Sequence, residues 1–134
     1  MSEEARVGIV LVSHSSALAE GAAELAGQIG GGTVLIVPAG GTEDGGIGTS
    51  EAKVRKAVIA ANTGAGVLIL PDLGSSVLTV RVLLSEPGAL PGAVALADAP
   101  FVEGAVAAAV AAAVGGDIEA VLAAAEEARN ARKL

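Results

Sequence analysis

Val7-Gly8-Ile9-Val10-Leu11-Val12 runs straight into Ser13-His14-Ser15-Ser16. An unbroken aliphatic run without polar alternation reads as a strand buried on both faces, the habit of strands in parallel sheets. Beyond the polar tetrapeptide, Leu18, Ala22, Leu25, Ala26 and Ile29 recur at helical spacing, and Gly30-Gly31-Gly32 ends that helix. A buried strand feeding an apolar-faced helix is the first half of a βαβ unit.

The pattern repeats along the chain. Thr33 to Val37 reads as a second buried strand closed by Pro38. The Gly-rich loop Ala39 to Thr49 leads to Ser50, an expected N-cap with Glu51 in the first turn. Val54, Ala57, Val58 and Ala61 form the apolar face of the helix that follows, and Asn62-Thr63-Gly64 stops it. Gly66 to Leu70 is the third strand, ending in Pro71-Asp72-Leu73-Gly74-Ser75-Ser76; a helix is expected over Val77 to Leu84 and a fourth strand over Gly92 to Leu96. Two Ala-rich helices complete the chain, Phe101 to Val114 and Asp117 to about Lys133. Alternating strands and helices predict an α/β three-layer sandwich with a mainly parallel sheet of four to five strands and helices on both faces. The economical strand order is 2-1-3-4. It creates a switch point between strands one and three, where ligands bind beyond the carboxyl ends.

Composition narrows the chemistry. The chain has 134 residues, enough for one domain over 1–134. Hydrophobic residues make up 52%, yet Phe101 is the sole aromatic, so the core is built from Ala, Val, Leu and Ile. The absence of cysteine excludes disulfides and thiolate chemistry. A single histidine excludes metal sites that need two imidazoles, and neither metal nor cofactor is expected. A net charge of −7 with scattered basic residues argues against nucleic acid and anionic membrane surfaces. Met1-Ser2-Glu3-Glu4 lacks the basic start of a signal peptide, and Ala105 to Val114 is too short to cross a bilayer. A cytoplasmic protein is expected.

The chemistry must sit on three polar segments that follow the first three strands. An isolated histidine is commonly a surface or capping residue, but His14 stands between a buried strand and a helix start. The unpartnered amides of that helix's first turn would favour an anion beside the ring. Ser15 and Ser16 either cap the helix or lie beside a bound phosphoryl group, and the two roles are compatible. Asp72 is either a turn residue or a carboxylate that accepts a hydrogen bond from the imidazole. A nucleophilic histidine needs such a partner, because one ring nitrogen must hold its proton while the other attacks. Which nitrogen plays which role is left open. Gly40-Gly41-Thr42 would bring small residues and unpaired amides to the same place, and Ser75 and Ser76 either donate hydroxyls to it or cap the next helix. Other inventories fit less well. There is no Gly-x-Ser-x-Gly elbow, no phosphate-loop motif, no dinucleotide fingerprint, no acidic pocket after strand one for a receiver domain, and only Phe101, far along the chain, to stack on a flavin.

Val-Ser-His-Ser-Ser, Ala-Gly-Gly-Thr followed by Ile-Gly-Thr-Ser, and Asp-Leu-Gly-Ser-Ser occur in that order, each after a strand. Together they resemble the phosphotransferase subunits of bacterial PEP-dependent dihydroxyacetone kinases. These subunits are related to the IIA domains of the mannose-class sugar phosphotransferase system (PTS). The likeness is carried by about the first 100 residues, while the helical C-terminus fits in length and character only. It implies a single phosphocarrier domain with His14 phosphorylated, Asp72 beside it, and Gly40, Gly41, Thr42, Ser75 and Ser76 around the phosphoryl group. It further implies phosphotransferase activity in dihydroxyacetone and glycerol metabolism. The histidine-containing phosphocarrier protein would be the donor, ADP on the kinase's nucleotide-binding subunit the acceptor, and a homodimer the assembly. A mannose-class IIA component that passes phosphoryl to a sugar-transport IIB domain is the nearest alternative. A flavodoxin-like regulatory or binding module with an unreactive His14 is the alternative of another kind.

Overall fold

Strand β1 (Gly8–Ser13) lies inside a four-stranded sheet in the computed structural model, which describes residues 5–134. The acidic start read at Met1 to Glu4 lies outside the described residues. Strands β2 (Ile36–Gly40), β1, β3 (Val67–Pro71) and β4 (Val94–Leu96) are adjacent in that order, and every pair is parallel. The expected α/β sandwich with order 2-1-3-4 is therefore the observed one, with four strands. β1 pairs on one side with β2, Ser13 opposite Gly40, and on the other with β3, Val12 opposite Pro71.

Strand alternation divides the core in two. Val7, just before β1, and Ile9 and Leu11 of β1, with Leu68 and Leu70 of β3, pack against α1 (Ser16–Ile29), α4 (Phe101–Ala113) and α5 (Ile118–Glu127). Val10 and Val12, with Val67 and Ile69, pack against α2 (Glu51–Ala61) and α3 (Gly74–Ser85). Helix α2 follows its expectation closely: Ser50 caps it by accepting the Lys53 N–H, and Val54, Ala57, Val58 and Ala61 are its buried residues.

Four expectations are corrected. Pro38 lies inside β2 and does not close it, with Leu11 as its cross-strand partner. β2 is an edge strand, and the Gly41 N–H and Leu35 carbonyl bond toward β1. Odd-numbered residues therefore face the ladder, and the missing N–H of Pro38 falls on the open side, where it costs no ladder bond. Helix α1 buries Ala19, Ala22 and Ala26, whereas Leu18, Leu25 and Ile29 stand about half exposed. Its small residues allow close approach to α4, where an added Cβ on Gly30 would lie 3.0 Å from the Ala109 methyl. β4 begins at Val94 because Gly92 has a φ of +70° and cannot be extended. α5 stops at Glu127 and a 3-10 turn covers Ala128–Asn130, since no side chain beyond Ala125 is buried to hold a helical face.

Candidate functional site

His14 continues the alternation of β1 one residue past the strand's end. It therefore falls on the Val10 and Val12 side, which belongs to α2 and α3 and not to α1. The ring accordingly turns toward α3, where it meets Ser75 and Ser76. The side chain is 19% exposed, at the surface and outside the aliphatic core.

Asp72 organises the site. β3 neighbours β1, and the Asp72 N–H donates to the Val12 carbonyl at 2.9 Å, which brings the carboxylate beside His14. Its Oδ1 lies 3.0 Å from His14 Nδ1 and accepts the Ser76 hydroxyl at 2.7 Å. Its Oδ2 accepts the Ser13 hydroxyl at 2.9 Å and the His14 backbone N–H at 3.0 Å. Burial alone would push this carboxyl up. The hydrogen bonds from the His14 amide, Ser76, the His14 ring and Ser13 more than offset it, and the pKa is lowered to about 2. Asp72 is therefore ionised at neutral pH and can only accept.

The tautomer of His14 follows. An ionised Oδ1 facing Nδ1 at 3.0 Å requires a proton on Nδ1. The Ser76 hydroxyl gives its one proton to Asp72, so its oxygen lone pair faces the same Nδ1–H at 3.2 Å. Nε2 is left with its lone pair outward, in contact with the Ser75 hydroxyl, which donates to it. Ser75 belongs to the first turn of α3, whose N-cap residue, Leu73, makes no side-chain capping bond. Leu73, Gly74 and Ser75 are all exposed, so this turn forms an open mouth around Nε2.

Of the residues singled out by sequence, the structure brings His14, Asp72, Ser75 and Ser76 into one network. The others frame it. Ser15 caps α1 by accepting the Leu18 N–H at 3.2 Å, and Ser16 donates to Glu20 at 2.9 Å. Gly40 permits close passage, because an added Cβ would stand 2.5 Å from the Ser15 carbonyl oxygen. The amides expected to be unpaired in the next loop are not: Gly41 N–H donates to the Ser13 carbonyl, and Thr42 N–H donates to the Gly46 carbonyl. The Thr42 hydroxyl is also engaged, with Asp44 and with the Gly46 N–H. Two participants escape the sequence reading. Ser13 is fully buried and joins Asp72 to the Ser15 N–H. Gly48 donates its N–H to the His14 carbonyl at 2.9 Å. A polar residue ending an otherwise aliphatic buried strand is the available signal for Ser13; Gly48 falls within the Ile-Gly-Thr-Ser stretch, but nothing local there points to its contact with His14.

No cluster of three metal-ligating side chains occurs among the described residues, and no described helix is long and apolar enough to cross a membrane. His14 lines neither the 300 Å³ cavity between α1, β2 and α2 nor the 470 Å³ groove beside Asp72 and Arg81. The imidazole therefore lies outside both, partly exposed beside the first turn of α3.

The family model EIIA-man, described as the PTS system fructose IIA component, matches residues 8–122. Among curated proteins, the chain is 36% identical over 99 residues to PEP-dependent dihydroxyacetone kinase 1, phosphoryl donor subunit DhaM, of Listeria innocua. That match covers 67% of this chain and 78% of the relative. The second such subunit of the same species is 36% identical over 78 residues, covering 58% of this chain and 62% of the relative. The Klebsiella michiganensis subunit DhaM is 37% identical over 101 residues, which is 72% of this chain but only 21% of that longer protein. A crystal structure of a protein of unknown function superposes with a TM-score of 0.79 at 35% identity, covering 96% of this chain and 97% of the other.

Proposed function

The chain belongs to the EIIA-man family of PTS IIA components, and from that membership we propose that it is a phosphohistidine carrier which accepts a phosphoryl group on His14 Nε2 and hands it on. The observation that carries this reading is the ionised Asp72 on Nδ1, which leaves the lone pair of Nε2 directed at an exposed mouth. In the transfer, the P–N bond on the donor's histidine breaks as the Nε2–P bond forms, roughly in line. The Nδ1 proton stays in place, the ring becomes cationic, and Asp72 stabilises that charge as the aspartate of a hydrolytic triad does. Ser75 must leave the Nε2 lone pair for the attack. Its hydroxyl, with the exposed first turn of α3, is then placed to donate to phosphoryl oxygens.

The relatives' names favour dihydroxyacetone phosphorylation over sugar transport. In that reading the donor is the histidine-containing phosphocarrier protein, the acceptor is ADP on a kinase nucleotide-binding subunit, and the setting is the cytoplasm. His14, Asp72, Ser75 and Ser76 are its working residues, while Ser15, Ser16, Gly40, Gly41 and Thr42 hold the frame. A homodimer is part of the same reading. The exposed Leu18, Leu25 and Ile29 on α1 offer a second copy apolar surface to bury.

The decisive experiment mixes the protein with PEP and the two general PTS carrier proteins. Acid-labile, base-stable phosphate is expected on the wild type and absent from His14→Ala. Label that survives in His14→Ala would reject the assignment.

A further inference from the structure

Two threonines outside the network close a loop of hydrogen bonds around His14. Thr79 lies one turn after Ser75 on α3, and its hydroxyl donates to the Ser75 carbonyl at 3.3 Å. Thr49 Oγ1 lies 2.9 Å from Thr79 Oγ1. A hydroxyl has one proton, and that of Thr79 is committed to Ser75, so Thr49 is the donor of the pair. On its other side Thr49 adjoins Gly48, whose N–H donates to the His14 carbonyl. The backbone of the histidine and the backbone of the serine that touches its Nε2 are thus tied through Gly48, Thr49 and Thr79.

Helix α3 needs such a tether. Of its twelve residues only Ser76, Val80 and Leu83 are buried, and its start carries no side-chain cap. Val80 and Leu83 fix the distal half against the second core. The first turn, which carries Ser75, is exposed and borders the open mouth. A displacement of well under an ångström there changes whether the Ser75 hydroxyl meets Nε2 or an incoming phosphoryl oxygen.

We infer that Thr49 and Thr79 are positioning residues that hold Ser75 against His14 by bridging the Gly-rich loop to helix α3. The inference rests on the carrier reading for its consequence in transfer, and on the geometry alone for its effect on the ring.

The test compares Thr79→Val and Thr49→Val, which keep the shape and lose the hydroxyl, with Thr79→Ser and Thr49→Ser, which keep it. Phosphoramidate serves as donor, since it phosphorylates imidazoles without a protein partner. Each valine variant is expected to lower the first-order rate of labelling at saturating phosphoramidate about three- to tenfold, the scale of one hydrogen bond, with the half-saturating concentration little changed and the melting transition close to wild type. The double valine variant is expected to be no worse than the poorer single one, because both act through one bridge. The serine variants are expected to restore the rate. Valine variants that match wild type, or serine variants as slow as valine, would overturn the inference.

The ¹⁵N resonance of Nε2, read on the unphosphorylated proteins, senses the Ser75 contact without any transfer taking place. It should shift in both valine variants and return in both serine variants. An unmoved Nε2 resonance would overturn the inference even where wild type takes label. A wild type that takes no label on His14 would instead reject the carrier reading, and the ring resonance alone would then decide the positioning role.

Discussion

Two helices begin beside His14, and they begin differently. Helix α1 is capped by Ser15, whose hydroxyl accepts the Leu18 N–H, and its start is pressed against the end of β2 at Gly40. Helix α3 starts after Leu73 without a side-chain cap, exposes most of its first turn, and puts Ser75 and Ser76 on the two nitrogens of the imidazole. Each start carries a Ser-Ser pair, so the two look equivalent along the chain. The sheet makes them unequal. His14 points to the side that carries α3, so the helix next in sequence frames the histidine while the helix after the neighbouring strand supplies the polar contacts.

The sharpest way to break this contrast is to remove the charge that orients the ring. Asp72→Asn places an amide nitrogen against donors in either orientation. It faces Nδ1 and Ser76 in one, and Ser13 and the His14 amide in the other. The ring can relieve the first arrangement only by moving its proton to Nε2, which removes the nucleophile. Transfer from phosphoramidate is expected to fall at least about 100-fold, the scale seen when an orienting aspartate loses its charge. A loss under about threefold would refute the tautomer assignment.

The same carboxylate makes the site sensitive to acid. A carboxyl that titrates near 4 when unfolded and at about 2 in the fold stabilises the native state fully above about pH 4. That contribution drains away as pH falls toward 2. Stability measured by denaturant between pH 5 and pH 2 should therefore decline less steeply in Asp72→Asn than in wild type. Parallel declines would show that the network around Asp72 does not couple to folding.

Ser75→Ala addresses the α3 side with a smaller expected effect. It removes the hydroxyl on Nε2 from an exposed position, so the fold should be indifferent. The transfer rate is expected to drop about tenfold, the worth of a hydrogen bond made to a charged group in the transition state. An unchanged rate would leave α3 a frame like α1.

The sheet order and the meeting of His14 with Asp72 were legible because aliphatic runs mark buried strands and topology then brings the ends of β1 and β3 together. Ser50 and the apolar face of α2 were legible for the local reasons of capping and helical period. The residues that escaped depend on neighbours distant in sequence. Pro38 looks like a strand terminator until β2 is known to be an edge. Leu18 and Leu25 look like core until the alanine face of α1 is seen to pack on α4. The choice between Nδ1 and Nε2 requires the position of Asp72 Oδ1, and the role of Gly48 requires the return of a loop to the backbone of His14. Period and propensity carry information about an element's own face; they carry none about which turn of a remote helix arrives above it.

The smallest effect is the one that best separates the two helix starts. Ser15→Ala deletes the α1 cap and leaves every atom touching the imidazole in place. Loss of a serine N-cap costs about 1 kcal/mol, a shift of a few degrees in the melting transition for a domain of this size. The Ser15 amide, which donates to Ser13 Oγ, is retained, so Asp72 keeps its acceptor geometry. Transfer should then stay within about twofold of wild type, the reverse of Ser75→Ala, which should cost rate and spare stability. If Ser15→Ala instead slowed transfer as much as Ser75→Ala, a phosphoryl group on Nε2 would have to reach the first turn of α1, and the division of labour drawn from the resting geometry would be wrong.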